Sequence, residues 1–356
     1  MVISGVIQGS VLGPILFIIF INDLPYYVKY SILRCFADDT RLTKAIENSQ
    51  RDTLFLQSDL HNVINWSICN NMLLNETKFE LISFPTSHRC NSMHDLPFYN
   101  DYSCKNYTTN PGNELQPVSS LRDLGIIIAD DFSWSEHITK ITTKAIQMSA
   151  WVMSIYKHRG KHHMLIMYKS FVQSHLEFSR PLWNPYKITD IANIEKVQRS
   201  FTAKIQGYQH YNYWDRLVKL NLQSLQRRRE RYIIIYMWKI LQGNVPNDIG
   251  LEFDFHPRRG FIAQVKPMMN PNSKTQTIYD NFFTVKGAKL WNILPKNINV
   301  ITTSLYTFKN ALANFLNLFP DRPPVEGYTR ANNNSLLSWW STLSADSDFT
   351  QQIREL

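Results

Sequence analysis

Hydrophobic positions along this chain keep one rhythm up to about residue 135 and another beyond it. In the first stretch, short apolar runs alternate with helical spacing. Val11 to Ile21 is the most apolar run. Ser10 before it is a residue type that caps helices, and Pro14 falls in the first turn, where a missing N–H costs little. The pattern predicts a buried helix from Ser10 to Val28. Ile32 to Phe36 and Arg41 to Ile46 are short β-capable runs. Arg51 to Asn71 sets Leu56, Leu60, Val63 and Ile64 on one helical face. Lys78 to Phe84 alternates, with Phe79, Leu81 and Ser83 on one side, which predicts a strand. Residues 86–119, rich in Asn, Ser, Pro and His, read as a long loop or ragged hairpin, and Leu121 to Ile128 as another strand.

From Ile138 to about Gly243 the spacing is helical throughout, carried by Ile146, Met153, Val172, Leu176, Ile194, Val197, Phe201, Leu225 and Ile240. Gly160, Pro181, Pro185 and Gly207 punctuate it. Trp151, Tyr156 and Tyr168 share this spacing, which marks them as core rather than base-stacking platforms. Beyond Gly243 proline and asparagine become frequent, and the stretch from Arg330 reads as a loose tail. The resulting fold class is α+β, in four parts: a mixed region over 1–135, a basic helical region over 136–245, a connecting region over 246–330 and the tail over 331–356.

Composition narrows the classes. With 44% hydrophobic residues, 9 Trp, 17 Tyr and 20 Phe among 356, the chain has material for packed cores and is not wholly disordered. Its four cysteines, Cys35, Cys69, Cys90 and Cys104, form no Cys-x-x-Cys pair, which argues against a zinc site or a disulfide framework. Val11 to Ile21 is about half the length of a membrane span. The N-terminus shows no secretory signature, so an intracellular location, nucleus or cytoplasm, and no membrane partner are expected. Charge is unevenly spread. Between Lys140 and Lys239 there are 18 Lys and Arg against 5 Asp and Glu, whereas the rest has 20 basic and 24 acidic residues. Such a region suits a polyanion through counterion release at phosphates; a solvated helix surface is the other reading.

Candidate chemistry centres on Phe36-Ala37-Asp38-Asp39-Thr40. Two adjacent carboxylates between β-capable runs make a hairpin tip, and a tight turn exposes both to a divalent metal. Upstream lies Gly5-Val6-Ile7-Gln8-Gly9-Ser10-Val11-Leu12-Gly13-Pro14, followed by Ile21-Asn22-Asp23-Leu24-Pro25. Loop and hairpin resemble the palm of the reverse transcriptases of non-LTR (LINE-type, jockey-like) retrotransposons. Trp66, Asn71, Leu74-Asn75 and Lys78 resemble the next palm motif, and Leu124-Gly125 the primer-grip hairpin. Leu176-Glu177-Phe178, Ile194 to Thr202 and Leu225 to Arg229 are similar to the thumb and connecting region, and Leu290 to Pro295 to a motif near the end of such reading frames.

The resemblance implies a partial palm of antiparallel sheet with helices, then a mainly helical thumb and connection. It also implies RNA-directed DNA polymerase activity by two-magnesium nucleotidyl transfer, with an RNA template, a DNA primer and dNTPs as partners and no other small-molecule cofactor. Asp38 becomes the principal Mg²⁺ ligand and Asp39 its assistant. Gln8, Gly9 and Ser10 line the template and incoming nucleotide, and Phe36 packs beside the primer end or is structural filler. Lys78 neutralises or protonates the leaving pyrophosphate, or is a surface lysine. Arg227, Arg228 and Arg229 grip a phosphate backbone or form a solvated face.

Two departures qualify this. Ile7 stands where the family usually has proline, which loosens the loop. The family's first catalytic aspartate, its aromatic gate and its fingers lie upstream of Gly5, so a truncated copy with little independent activity is expected. The alternative is a non-catalytic nucleic-acid-binding remnant using the basic helical region. His158-Arg159-Gly160-Lys161-His162-His163 brings no acidic or cysteine ligand and reads as a basic turn between helices rather than a metal site.

Overall fold

A hairpin seated on one long helix organises the first of two units into which the chain divides, Met1–Leu121 and Arg122–Leu356. The computed structural model describes residues 9–84, 107–109, 113–265, 273–323 and 334–344. In the first unit, α1 (Gly13–Ile21) begins with Pro14 in its first turn, and Ser10 Oγ accepts a hydrogen bond from the Gly13 N–H at 3.1 Å. A short 3₁₀ turn follows (Leu24–Tyr27), then β1 (Ile32–Phe36) and β2 (Asp39–Thr43), paired antiparallel. Helix α2 (Ser49–Cys69) starts where the Asn48 side chain accepts from the Arg51 N–H. It ends with Asn71 in the left-handed region at φ 53°, while the Met72 N–H bonds the Ser67 carbonyl. Its buried face carries Leu60, Val63, Ile64 and Trp66.

Two expectations for this unit are corrected. The apolar helix is shorter than expected and largely exposed. α1 touches the unit along one stripe, Phe17 and Ile21, with Phe20 edge-on to Trp66 at 5.8 Å. Ile15, Ile18 and Ile19 are exposed, because a helix apolar on every side cannot hide all its faces against one neighbour. The strand expected from Lys78 to Phe84 is also absent. Lys78 closes a 3₁₀ turn (Glu76–Lys78), and only Leu81 makes an isolated bridge, to Pro117. Short strands β3 (Tyr107–Thr108) and β4 (Glu114–Leu115) pair nearby in sequence; most of the remaining 86–119 loop lies outside the described residues.

The run expected as one strand near residue 121 is a hairpin, β5 (Ser120–Asp123) and β6 (Ile126–Ala129), with Leu124 and Gly125 at φ 45° and 90° forming its turn. Helices then dominate, as the spacing predicts. α3 (Ser135–Ile155) is followed by α4 (Lys161–Met167), which runs through a π turn (Tyr168–Gln173) into α5 (Ser174–Glu177). α6 (Ile188–Thr202), α7 (Tyr213–Leu220) and α8 (Leu225–Leu241) complete the region. One core packs α3 to α7 around Tyr168, Phe201 and Trp183.

A second core in the same unit packs α8 against the β7–β8 hairpin (Phe253–His256, Gly260–Ala263) and later helices, around Trp291, Phe308 and Phe315. These helices are α10 (Phe283–Asn292), α11 (Lys296–Asn299), α12 (Leu305–Asn317) and α13 (Leu336–Leu343), and α9 (Ser273–Asn281) packs against α10. Part of the tail expected to be loose is therefore packed: Asn334 and Leu336 are fully buried. The architecture is mixed helix and small antiparallel ladders, compatible with α+β. No helix of the described residues is long and apolar enough to cross a membrane.

Candidate active site

The acidic hairpin owes its shape to a two-residue turn. Phe36 pairs with Asp39 and Cys35 with Thr40, leaving Ala37 and Asp38 at the tip. Ala37 sits at φ 52°, a left-handed conformation that costs a non-glycine residue roughly 1 kcal/mol. Each strand turns one leucine inward: Leu33 and Leu42, directly paired, pack on Ile21, Leu24, Val63 and Trp66. Everything beyond that pair projects outward, so Phe36 is 66% exposed and Asp38 and Asp39 are exposed as well. Neither carboxylate is hydrogen-bonded or ion-paired among the described residues.

Two other acids, unnoticed in the sequence, hold the hairpin in place. Asp59 is fully buried and accepts the backbone N–H groups of Lys29 (2.9 Å), Tyr30 (2.9 Å) and Ser31 (2.7 Å), which fixes the entry to β1. Asp52 accepts from Asn48 (2.8 Å) and Glu47 (2.9 Å), which fixes the exit from β2. Those two hydrogen bonds, with Arg51 alongside, hold the Asp52 carboxyl down to about 2. Both acids project from α2, seven residues and so about two turns apart, on the face that carries the core. That spacing, acids at buried helical positions, was the available signal. Tyr30 adds a stack on Phe55, with ring centroids 4.1 Å apart, and Trp66 Nε1 donates to Asp23 Oδ1 at 2.9 Å.

The other expected site residues separate. Gln8 lies outside the described residues. Gly9 has φ +84° with no atom of the described residues within 4 Å of a would-be Cβ, so on that side its backbone is open to approach. Ser10 is engaged with the start of α1. Lys78 is exposed, and its neighbour Phe79 packs in the cluster that includes Leu42 of β2. At the Leu124–Gly125 turn, a Cβ on Gly125 would meet the Phe178 ring at 3.4 Å. His137 Nδ1 accepts from the Ile127 N–H in the adjoining strand at 3.3 Å, and burial, with Lys140 nearby, pushes His137 down to about 4, so it is a neutral acceptor.

The arginine triplet is placed against its expected role. Arg227 is 1% exposed and donates to the backbone carbonyls of Leu316, Phe319, Pro320 and Asn334 at 3.1–3.3 Å. Arg229 is buried against Gln226 Oε1 and, at 5.7 Å, the Trp183 ring. Burial holds its guanidinium down to about 10. Arg228 pairs through two nitrogens with Glu177, which also binds Arg180. Buried guanidiniums already committed to carbonyls and carboxylates do not face a phosphate backbone. The physical reason is that α8 is a central helix, packed on both cores of its unit.

Among the described residues no group of three or more His, Cys, Asp or Glu clusters as a metal cage. The donor set at the tip still fits magnesium, which takes one or two protein carboxylates and completes its shell with waters and substrate phosphates. No family model matches the chain, and no solved structure does. Curated proteins do. It is 24% identical over 217 residues to the probable RNA-directed DNA polymerase from transposon X-element of Drosophila melanogaster, a match covering 58% of this chain and 22% of that protein. It is also 24% identical over 219 residues to the RNA-directed DNA polymerase from mobile element jockey in Drosophila funebris and in Drosophila melanogaster, with the same coverage of 58% and 22%. The chain thus spans under a quarter of the length of the curated relatives it matches.

Proposed function

We propose that this chain, a distant relative of the RNA-directed DNA polymerases of the non-LTR mobile elements jockey and X-element, carries the metal-holding hairpin of such an enzyme. The observation that carries the reading is the pair of exposed carboxylates, without a partner among the described residues, at a hairpin tip braced from both ends by α2. Asp38 is the principal magnesium ligand and Asp39 assists at the same place. Bound there, two magnesium ions would polarise the reacting phosphate and favour the ionised primer hydroxyl. Gly9, open on its Cβ side, lets template or nucleotide approach the backbone, together with Gln8 and Ser10. Phe36 offers an exposed ring beside the primer end. Lys78 supplies a cation on the segment packed against β2, where it would neutralise the leaving pyrophosphate. RNA template, DNA primer and dNTPs are the substrates in this reading.

Two carboxylates hold magnesium weakly, so the isolated chain is expected to be a poor polymerase that needs millimolar metal. Primer extension on an RNA template with Mg²⁺, comparing the wild-type chain with Asp38→Asn, tests this. Weak incorporation that the substitution abolishes supports the hairpin's role. Incorporation that survives Asp38→Asn refutes it. A second reading, nucleic-acid binding without chemistry, draws on the excess of positive charge between Lys140 and Lys239 and needs neither aspartate.

A further inference from the structure

With Arg227, Arg228 and Arg229 of α8 turned inward, the excess positive charge of this unit reaches solvent elsewhere. Three chain segments distant in sequence converge at one place: the turn between α3 and α4, the loop after α6, and the end of α7. The Gln206 N–H bonds the Arg159 carbonyl at 2.9 Å, and Lys161 Nζ bonds the Lys219 carbonyl at 2.8 Å. Lys161 Nζ also lies 5.7 Å from the Tyr208 ring centroid and Lys219 Nζ 4.4 Å from that of Tyr211. The His210 ring stands 4.0 Å from Tyr211, and Tyr208 6.2 Å. Beneath them the buried Arg216 donates to the Tyr211 carbonyl at 2.8 Å and the Arg199 carbonyl at 3.2 Å, pinning the loop.

We propose that Arg159, Lys161, Lys204 and Lys219, set around Tyr208 and Tyr211, form a binding site for the phosphate backbone of a nucleic-acid strand. All four cations are exposed, and none is ion-paired among the described residues. The aromatic rings hold two of the lysines in place, so less side-chain entropy is lost on binding a phosphate. Interleaved aromatics and cations suit a polynucleotide, whose bases accept ring faces and whose phosphates accept charge. Recognition is independent of sequence, because phosphate contacts position a strand without reading its bases. The inference gives residues to the second reading above and rests on it; it does not involve Asp38 or Asp39.

The test is fluorescence anisotropy of a labelled single-stranded 20-mer RNA with the full chain between 50 and 200 mM salt. Changing Arg159, Lys161, Lys204 and Lys219 together to Gln should reduce the log–log salt slope by about 3 and weaken binding roughly tenfold or more. Lys140→Gln with Lys144→Gln, at least about 16 Å along α3 from its end at Ile155, should leave binding within about twofold. Because Lys161 also bonds a carbonyl, the pair Arg159→Gln and Lys204→Gln, whose side chains make no hydrogen bond among the described residues, replaces the fourfold variant if that one loses thermal stability. Its slope should fall by about 1.4. Equal losses in the patch and control variants, or none in the patch variant, overturn the site while leaving the second reading standing. Absence of RNA binding at 50 mM salt overturns both. Displacement by phosphatidylserine vesicles or polyglutamate as readily as by unlabelled RNA overturns the assignment to nucleic acid.

Discussion

The hairpin tip of the first unit and helix α8 of the second each carry a run of like charges. At the tip, Asp38 and Asp39 project beyond the last packed pair, Leu33 and Leu42, and their carboxylates have no hydrogen-bond or ion-pair partner among the described residues. On α8, Arg227 and Arg229 are all but fully buried and Arg228 is bound to Glu177. The difference lies in how many sides of each element are covered. A two-stranded hairpin touches the core through one residue per strand, whereas α8 is packed on nearly every side and its polar atoms must find internal partners. Density of charge along the sequence therefore says little about charge offered to a ligand. The exposed cations proposed to act together, Arg159, Lys161, Lys204 and Lys219, are scattered over some sixty residues.

The contrast is sharpest when Arg227 is removed. Arg227→Met strands four backbone carbonyls that converge on one guanidinium, and should cost about 3 kcal/mol or more in urea unfolding. A phosphate-gripping arginine would instead lower RNA affinity and leave stability unchanged. Next in size is a pH effect at Glu195. Burial pushes this carboxyl up to about 7 from 4.5, against the opposing hydrogen bonds it accepts from the Tyr213 hydroxyl and the Leu225 N–H. The folded chain therefore binds the proton more tightly than the unfolded one. The favourable contribution is complete below pH 4.5 and disappears as pH rises towards 7, a loss of up to about 3 kcal/mol. Glu195→Gln should abolish that part of the slope, measured as unfolding free energy at pH 5 and pH 8. The smallest effect belongs to the tip. Asp38→Asn with Asp39→Asn should change stability by less than about 0.5 kcal/mol, since neither carboxylate has a partner among the described residues to lose. A larger change in the melting temperature would mean that the pair is scaffolding.

Several features were legible from local pattern. The acidic pair, flanked by β-capable runs, is a hairpin tip; the shared face of Leu60, Val63 and Ile64 is a helix; and the region after Ile138 is helical. Each depends on the side-chain period and on turn geometry within a few residues. Lys78 to Phe84 alternates like a strand but pairs only through Leu81, because a strand needs a partner of matching length and the alternation does not supply one. The exposure of α1 was equally out of reach, since its composition predicts burial whatever stands beside it.

What the sequence determined by itself is the set of local elements and the placing of two free carboxylates at a bend. Whether a charged side chain is spent on the fold or left for a ligand was decided only by tertiary structure. Arg227 finds its carbonyls 89 to 107 residues away, and Asp59 anchors a segment about thirty residues before it. Burial and hydrogen-bond satisfaction depend on such distant neighbours, which no periodicity along the chain encodes.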